Sequence, residues 1–140
     1  MGTTALTEAV FYILLSLDTP LHMAANGTPL ADLFNTVQLA ASGAQISVTS
    51  LANDAAGLPQ IVCRRDILNA YPYTNTLTVL EITGAVLRRA MERSAEYFTR
   101  NEDGTLRISD AFLKPKVEHY NYDYYAGVHY VFDCSRPIGQ

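Results

Sequence analysis

Apolar positions along this chain follow two rhythms. Between residues 4 and 17, Leu6, Val10, Ile13 or Leu14, and Leu17 recur every three to four residues, the spacing of a buried helical stripe. Asp18, Pro20, Asn26 and Gly27 then read as a loop. Thr28 is a good N-cap for a second helix, with Pro29 at its first position, Leu30, Leu33 or Phe34, Val37 and Ala41 on one face, and Gly43 as the stop. The rhythm changes in "QISVTSL", where Ile46, Val48 and Ser50 share one side of a predicted strand. A small-residue loop, "ANDAAGLP", follows. "QIVCRRDILNA" reads as a short strand and one or two helical turns.

The cleanest alternation is "TLTVLEI", residues 76–82, predicted as a strand. Thr83 caps a helix over "GAVLRRAMERSAEYF", with Leu87, Met91, Ser94 or Ala95, and Phe98 inward, and Arg88, Arg89, Glu92 and Arg93 outward. "NEDGT" is a turn, and "VHYVFDCS" alternates again as a strand. Helices and strands mix without a regular βαβ rhythm, which predicts an α+β domain, a mixed sheet with packed helices. Just before the best strand, "AYPYTN" carries Tyr71 and Tyr73 on a short connection where small residues would turn more easily. Either the rings plug the core, or one offers its face to a flat ligand.

The chain has 140 residues, enough for one domain with a real core, and 49% apolar against 17% charged residues describes a globular protein. Its formal charge of −4 argues against a nucleic-acid polymer as partner. The longest apolar run, residues 9–17, is about half of the roughly 20 residues a membrane span needs. No Lys or Arg precedes that run and Glu8 does, so it is no signal peptide. Cys63 and Cys134 are too far apart for a metal knuckle and are expected as free, buried thiols.

Candidate chemistry narrows quickly. His22, His119 and His129 stand apart, and the four-residue spacing of His119 and Asp123 fixes no geometry on a loop, so no metal site is expected in this chain. Nucleophile elbows and Gly-rich phosphate loops are absent. Tyrosine is the informative residue: five of nine fall at Tyr120, Tyr122, Tyr124, Tyr125 and Tyr130. Most of these are expected to pack on a helix. Asn121 and Asp123, woven between them, can tie down a loop or bind sugar hydroxyls.

Three blocks carry a resemblance. "YPYTNTLTVLEITGAVLRRAMERSAEYF" resembles the aromatic–Asn–strand–"TG"–helix pattern in the C-terminal domain of 5'-nucleotidases. "KPKVEHYNYDYYAGVHYVFDCSRPIGQ" is similar to the "YN(F/Y)D…GV.Y.ID.S.P" segment of that domain in the bacterial branch acting on 2',3'-cyclic nucleotides and 3'-nucleotides. "GAQISVTSLANDAAGLP" falls where the family has a strand and a ligand-facing loop. The match spans residues 28–140.

The resemblance implies a division of labour. An N-terminal metallophosphoesterase domain would hold two divalent metal ions and hydrolyse the ester, while this domain clamps the nucleoside or nucleotide. Tyr73 matches the first of two base-stacking aromatics and Asn75 the polar residue beside it. Asn53 and Asp54 lie in the loop that supplies an Asn and an Arg in many relatives, though no Arg stands here. With Asn121 and Asp123 these make six candidate substrate-binding residues and no catalytic one. The family's second stacking aromatic lies in a later loop than Gln140, so the chain is expected to be a truncated piece of a two-domain hydrolase, secreted, periplasmic or at the cell surface. The alternative is a non-catalytic binding or adhesion module on the same scaffold.

Overall fold

A computed structural model describes residues 18–139; the helix expected over residues 4–17 lies outside them. Helix α1 (Pro20–Asn26) occupies part of the expected loop. The same residues that suggest a loop start a helix: Thr19 Oγ1 accepts the His22 amide proton at 3.3 Å, Pro20 leads, and Gly27 (φ +79°) ends it. Helix α2 (Pro29–Ser42) follows as expected, closed by Gly43 in the left-handed region with its N–H on the Leu39 carbonyl. Thr28 holds the N-cap position but is itself buried, and its hydroxyl makes no cap bond.

Strand β1 (Ser47–Thr49) lies within the expected one, but the polar side turns inward. Ser47 and Thr49 are buried, and the Ser47 hydroxyl donates to Gln38 Oε1 at 2.7 Å, while Val48 is exposed. Helix α3 (Arg64–Ala70) begins at Cys63, whose amide donates to Asp66 Oδ2 at 2.8 Å. That capping role leaves Cys63 exposed, not buried as expected; Cys134 is half-buried, and both thiols are free. No strand precedes α3 at residues 60–63.

Helix α4 (Gly84–Ala95) is capped by Thr83, which accepts from Val86 N at 3.4 Å. It stops three residues before Phe98, because Phe98–Arg100 forms β2, antiparallel to β3 (Leu106–Ile108). The intervening turn is fixed by Asp103, whose carboxylate accepts the Thr105 amide proton at 2.9 Å, and by Gly104 at φ +84°. Strand β4 (Tyr124–Ala126) pairs antiparallel with β1, Val48 opposite Tyr125. Just beyond it Gly127 (φ +82°) passes so close to the Gln45 carbonyl that a Cβ would collide with it.

Two sequence-predicted strands are not strands. Residues 76–82 make no backbone–backbone hydrogen bond among the described residues, and Val79 and Leu80 are 60% and 73% exposed. A strand exists only beside a partner, and none of the described strands runs alongside this stretch. At residues 128–135 the pairing has moved upstream into β4, leaving Tyr130 and Phe132 to pack as rings 5.0 Å apart.

The class is α+β, with the described strands in two antiparallel pairs. One apolar cluster joins Leu30 and Ala31 of α2 to Leu51, Leu58 and Ala70. A second joins Ala24 of α1 to Tyr97, Phe112 and Tyr122, and Tyr124 packs on both. Tyr122 meets Tyr97 at 4.8 Å and Phe98 at 5.6 Å, and its hydroxyl donates to the Ala24 carbonyl at 2.9 Å. Burial pushes the Tyr122 pKa far upward, so the hydroxyl remains a donor. Removing only that hydroxyl (Tyr122→Phe) is expected to cost about 1 kcal/mol, the usual net value of such a bond. Tyr122→Ala should cost about 3–5 kcal/mol through the cavity; urea unfolding of both variants measures the difference.

Candidate functional site

An open trough of about 1100 Å³ runs between β1 and the extended stretch at residues 76–82. It exceeds the usual range for one small-molecule pocket, about 300–1,000 Å³, so a nucleoside-sized ligand would fill only part of it. One wall is made by β1, which pairs with β4 on a single side. The unpaired stretch forms the other. Across one end lie Tyr73, Asn75, Lys116, Tyr120 and Asp123.

Tyr73 and Asn75 reach this rim through the connection after α3. Tyr71 anchors that connection: its ring stands edge-on to Phe34 of α2 at 5.1 Å. Tyr73, two residues on, is 60% exposed and lines the trough. Asn75 turns the chain beside it, its amide N–H on the Tyr73 carbonyl at 3.0 Å. Of the two rings in "AYPYTN", one is packing and the other stands free.

The opposite part of the rim belongs to the loop before β4. Asn53 holds this loop from across the chain. Its Nδ2 donates to the Val117 carbonyl at 2.8 Å, and its Oδ1 accepts the Tyr120 amide proton at 3.3 Å. Both polar atoms of the side chain are thus spent on loop backbone, a supporting position. Asp54 is exposed and does not line the trough. Asn121 likewise points away from it, donating to Glu118 Oε2 at 2.9 Å. Asp123 does line it; burial pushes its carboxyl above the usual range, with the Arg93 guanidinium pulling the other way. Of the six sequence-predicted residues, the structure gathers Tyr73, Asn75 and Asp123 at one rim, places Asn53 behind it, and leaves Asp54 and Asn121 outside.

Two rim residues were not expected, Lys116 and Tyr120. Lys116 Nζ donates to the Tyr120 hydroxyl at 3.3 Å and stands 5.3 Å from the centre of that ring. The signal in the sequence is a cation four residues before a tyrosine, but that spacing means proximity only on a helix, and these residues looked like loop.

The same loop is fastened to the core by His119. Tyr97 is almost wholly buried, its pKa pushed up to about 12 by desolvation, so its O–H donates to His119 Nδ1 at 2.7 Å. This requires neutral His119, and burial lowers its pKa. Among the described residues no three His, Cys, Asp or Glu side chains converge as a metal site would need, and no helix is long and apolar enough to cross a membrane.

Comparison with known proteins agrees with this architecture. The family model "5'-nucleotidase, C-terminal domain" matches residues 14–140, and the chain belongs to that family. A 2',3'-cyclic-nucleotide 2'-phosphodiesterase/3'-nucleotidase of Yersinia enterocolitica is 26% identical over 120 residues, covering 83% of this chain and 18% of that protein. A protein of the same description from Haemophilus influenzae is 27% identical over 100 residues, covering 69% of this chain and 15% of that protein. A crystal structure of a Staphylococcus aureus protein assigned as a 5'-nucleotidase, in complex with alpha-ketoglutarate, superimposes with a TM-score of 0.83 at 39% identity. It covers 90% of this chain and 24% of that one. The chain thus spans between about a sixth and a quarter of the length of these relatives.

The His119 bond makes a pH prediction. A histidine whose folded pKa lies below its unfolded value of about 6.5 adds stability that is complete above that pH. The contribution is lost as pH falls through the folded pKa, before Asp103, Asp110 and Asp133, all held below the ordinary carboxylate range by their hydrogen bonds, take up protons. Thermal melts across pH 4–8 (about the range in which histidine titrates) should therefore show a drop that His119→Gln, which cannot titrate, makes shallower.

Proposed function

We propose that this chain is the nucleotide-recognising part of a metal-dependent nucleotidase or 2',3'-cyclic phosphodiesterase. The base lies on the open face of Tyr73, Asn75 and Asp123 supply hydrogen bonds to the nucleoside, and Asn53 keeps the facing loop in place. Breaking the phosphate ester belongs to a partner metallophosphoesterase domain of the same protein with two divalent ions. The described residues offer no cluster for such ions, so their contribution is binding and orientation. An exported protein, in the periplasm or at the cell surface, is the setting that matches this reading. The observation that carries it is a single one: in a chain of this family, Tyr73 is bare at the rim of a trough instead of sealed in the core.

One stacked base is worth about 1–3 kcal/mol. With a single ring available, dissociation constants of about a millimolar are expected, which corresponds to about −4 kcal/mol. Titration of a 3'-nucleotide into the chain, followed by NMR, should shift resonances around Tyr73 and Asn75. Tyr73→Ala should weaken binding at least about fivefold, the low end of that stacking energy. Shifts confined to a different surface, or an unaltered affinity in the variant, would overturn the stacking role.

A further inference from the structure

Lys116 is so far unexplained. Glu81, Lys116 and Asp123 are the charged side chains lining the trough, so carboxylates outnumber the ammonium two to one. The chain as a whole carries a formal charge of −4. Such surroundings repel a free phosphate more than they attract it. Yet Lys116 has no carboxylate within ion-pairing distance among the described residues. Its one polar contact is the Tyr120 hydroxyl, which leaves two of three N–H donors free. Hydrogen bonding to Tyr120 raises its pKa, with a smaller contribution from the phenol of Tyr73, so the group stays charged and sits near that ring. The loop carrying it is held by both polar atoms of Asn53. A fixed donor-only group beside a stacking ring, in a trough unsuited to anions, is arranged to meet a neutral acceptor.

We propose that Lys116 sets the base preference of this site, favouring bases with two adjacent acceptors on one edge, as hypoxanthine and guanine have, over adenine. The inference rests on the stacking role given to Tyr73. A lysine matches the O6 and N7 acceptors of a 6-keto purine, whereas the 6-amino group of adenine is a donor that turns its hydrogens toward the ammonium. Asp123, across the rim, accepts hydrogen bonds when ionised and leaves the acceptor edge to Lys116.

Inosine and adenosine differ at this edge, oxygen against amino at C6, and both lack phosphate. NMR titration of the 140-residue chain with each separates the contributions. The wild type should bind inosine at least about fivefold more tightly, the low end for one good base-edge contact. Lys116→Met, an exposed substitution of similar length, should abolish the difference by weakening inosine alone. Tyr73→Ala should weaken both nucleosides equally. If the wild type does not discriminate, or if discrimination survives Lys116→Met, while Tyr73→Ala still weakens both, the base preference is wrong and the stacking stands. If Tyr73→Ala changes neither affinity, or the wild type binds neither nucleoside, the stacking role fails and this inference with it.

Discussion

Four consecutive residues hold the described structure together. The Tyr122 hydroxyl bonds the Ala24 carbonyl of α1, and the carbonyl of Tyr124 accepts from Asn35 of α2 at 3.1 Å. Tyr124 and Tyr125 pair with β1, and the Tyr125 hydroxyl meets Ser94 of α4 at 3.3 Å. Each contact joins segments far apart in sequence, so the short strand β4 and its approach replace the extended sheet that would otherwise organise a domain of this size. Burial makes these bonds obligatory. A tyrosine hydroxyl or an asparagine amide taken out of water without a partner costs more than the bond itself returns. The tyrosines of this region are therefore keystones first, and the rim of the trough is built on what they fix.

That dependence explains how an exposed site is kept in order. Tyr73 is carried by a connection wedged through Tyr71 onto α2, and Lys116 and Tyr120 by a loop fastened through Asn53 and His119. In both cases the residue beside the working one is buried or tied, and the working one is left free. Alternation between an anchor and an open side chain is the local design on both sides of the rim.

The sequence foretold the elements whose signals are local. Helix α2 has a proline start and glycine stop, and α4 has a threonine cap and one apolar stripe; both form where the pattern put them. The sequence could not reveal pairing, because "TLTVLEI" has the composition of a strand and no neighbour to make it one. The interior side of β1 was also hidden, since Ser47 and Thr49 are buried through a hydrogen bond to Gln38 and strand contacts, not through hydrophobicity. In the site, Tyr73 and Asn75 were legible from their place before the unpaired stretch and from the family pattern. Asn53 was singled out for a ligand but serves the loop backbone, a difference that only its partners 64 and 67 residues away disclose. Lys116 carried no sequence signature because its neighbours are brought together by tertiary contacts.

Gly127 shows how little room this arrangement leaves for drift. Its missing side chain lets the end of β4 lie against the Gln45 carbonyl, at a backbone angle that other residues rarely adopt. A single methyl group there would lever β4 off β1, and the displacement would pass through Tyr124 and Tyr125 to both apolar clusters. The domain is therefore most brittle at an exposed position with no chemistry of its own, far from where a ligand would sit, and a variant there would mimic loss of binding while leaving every contact residue in its covalent place.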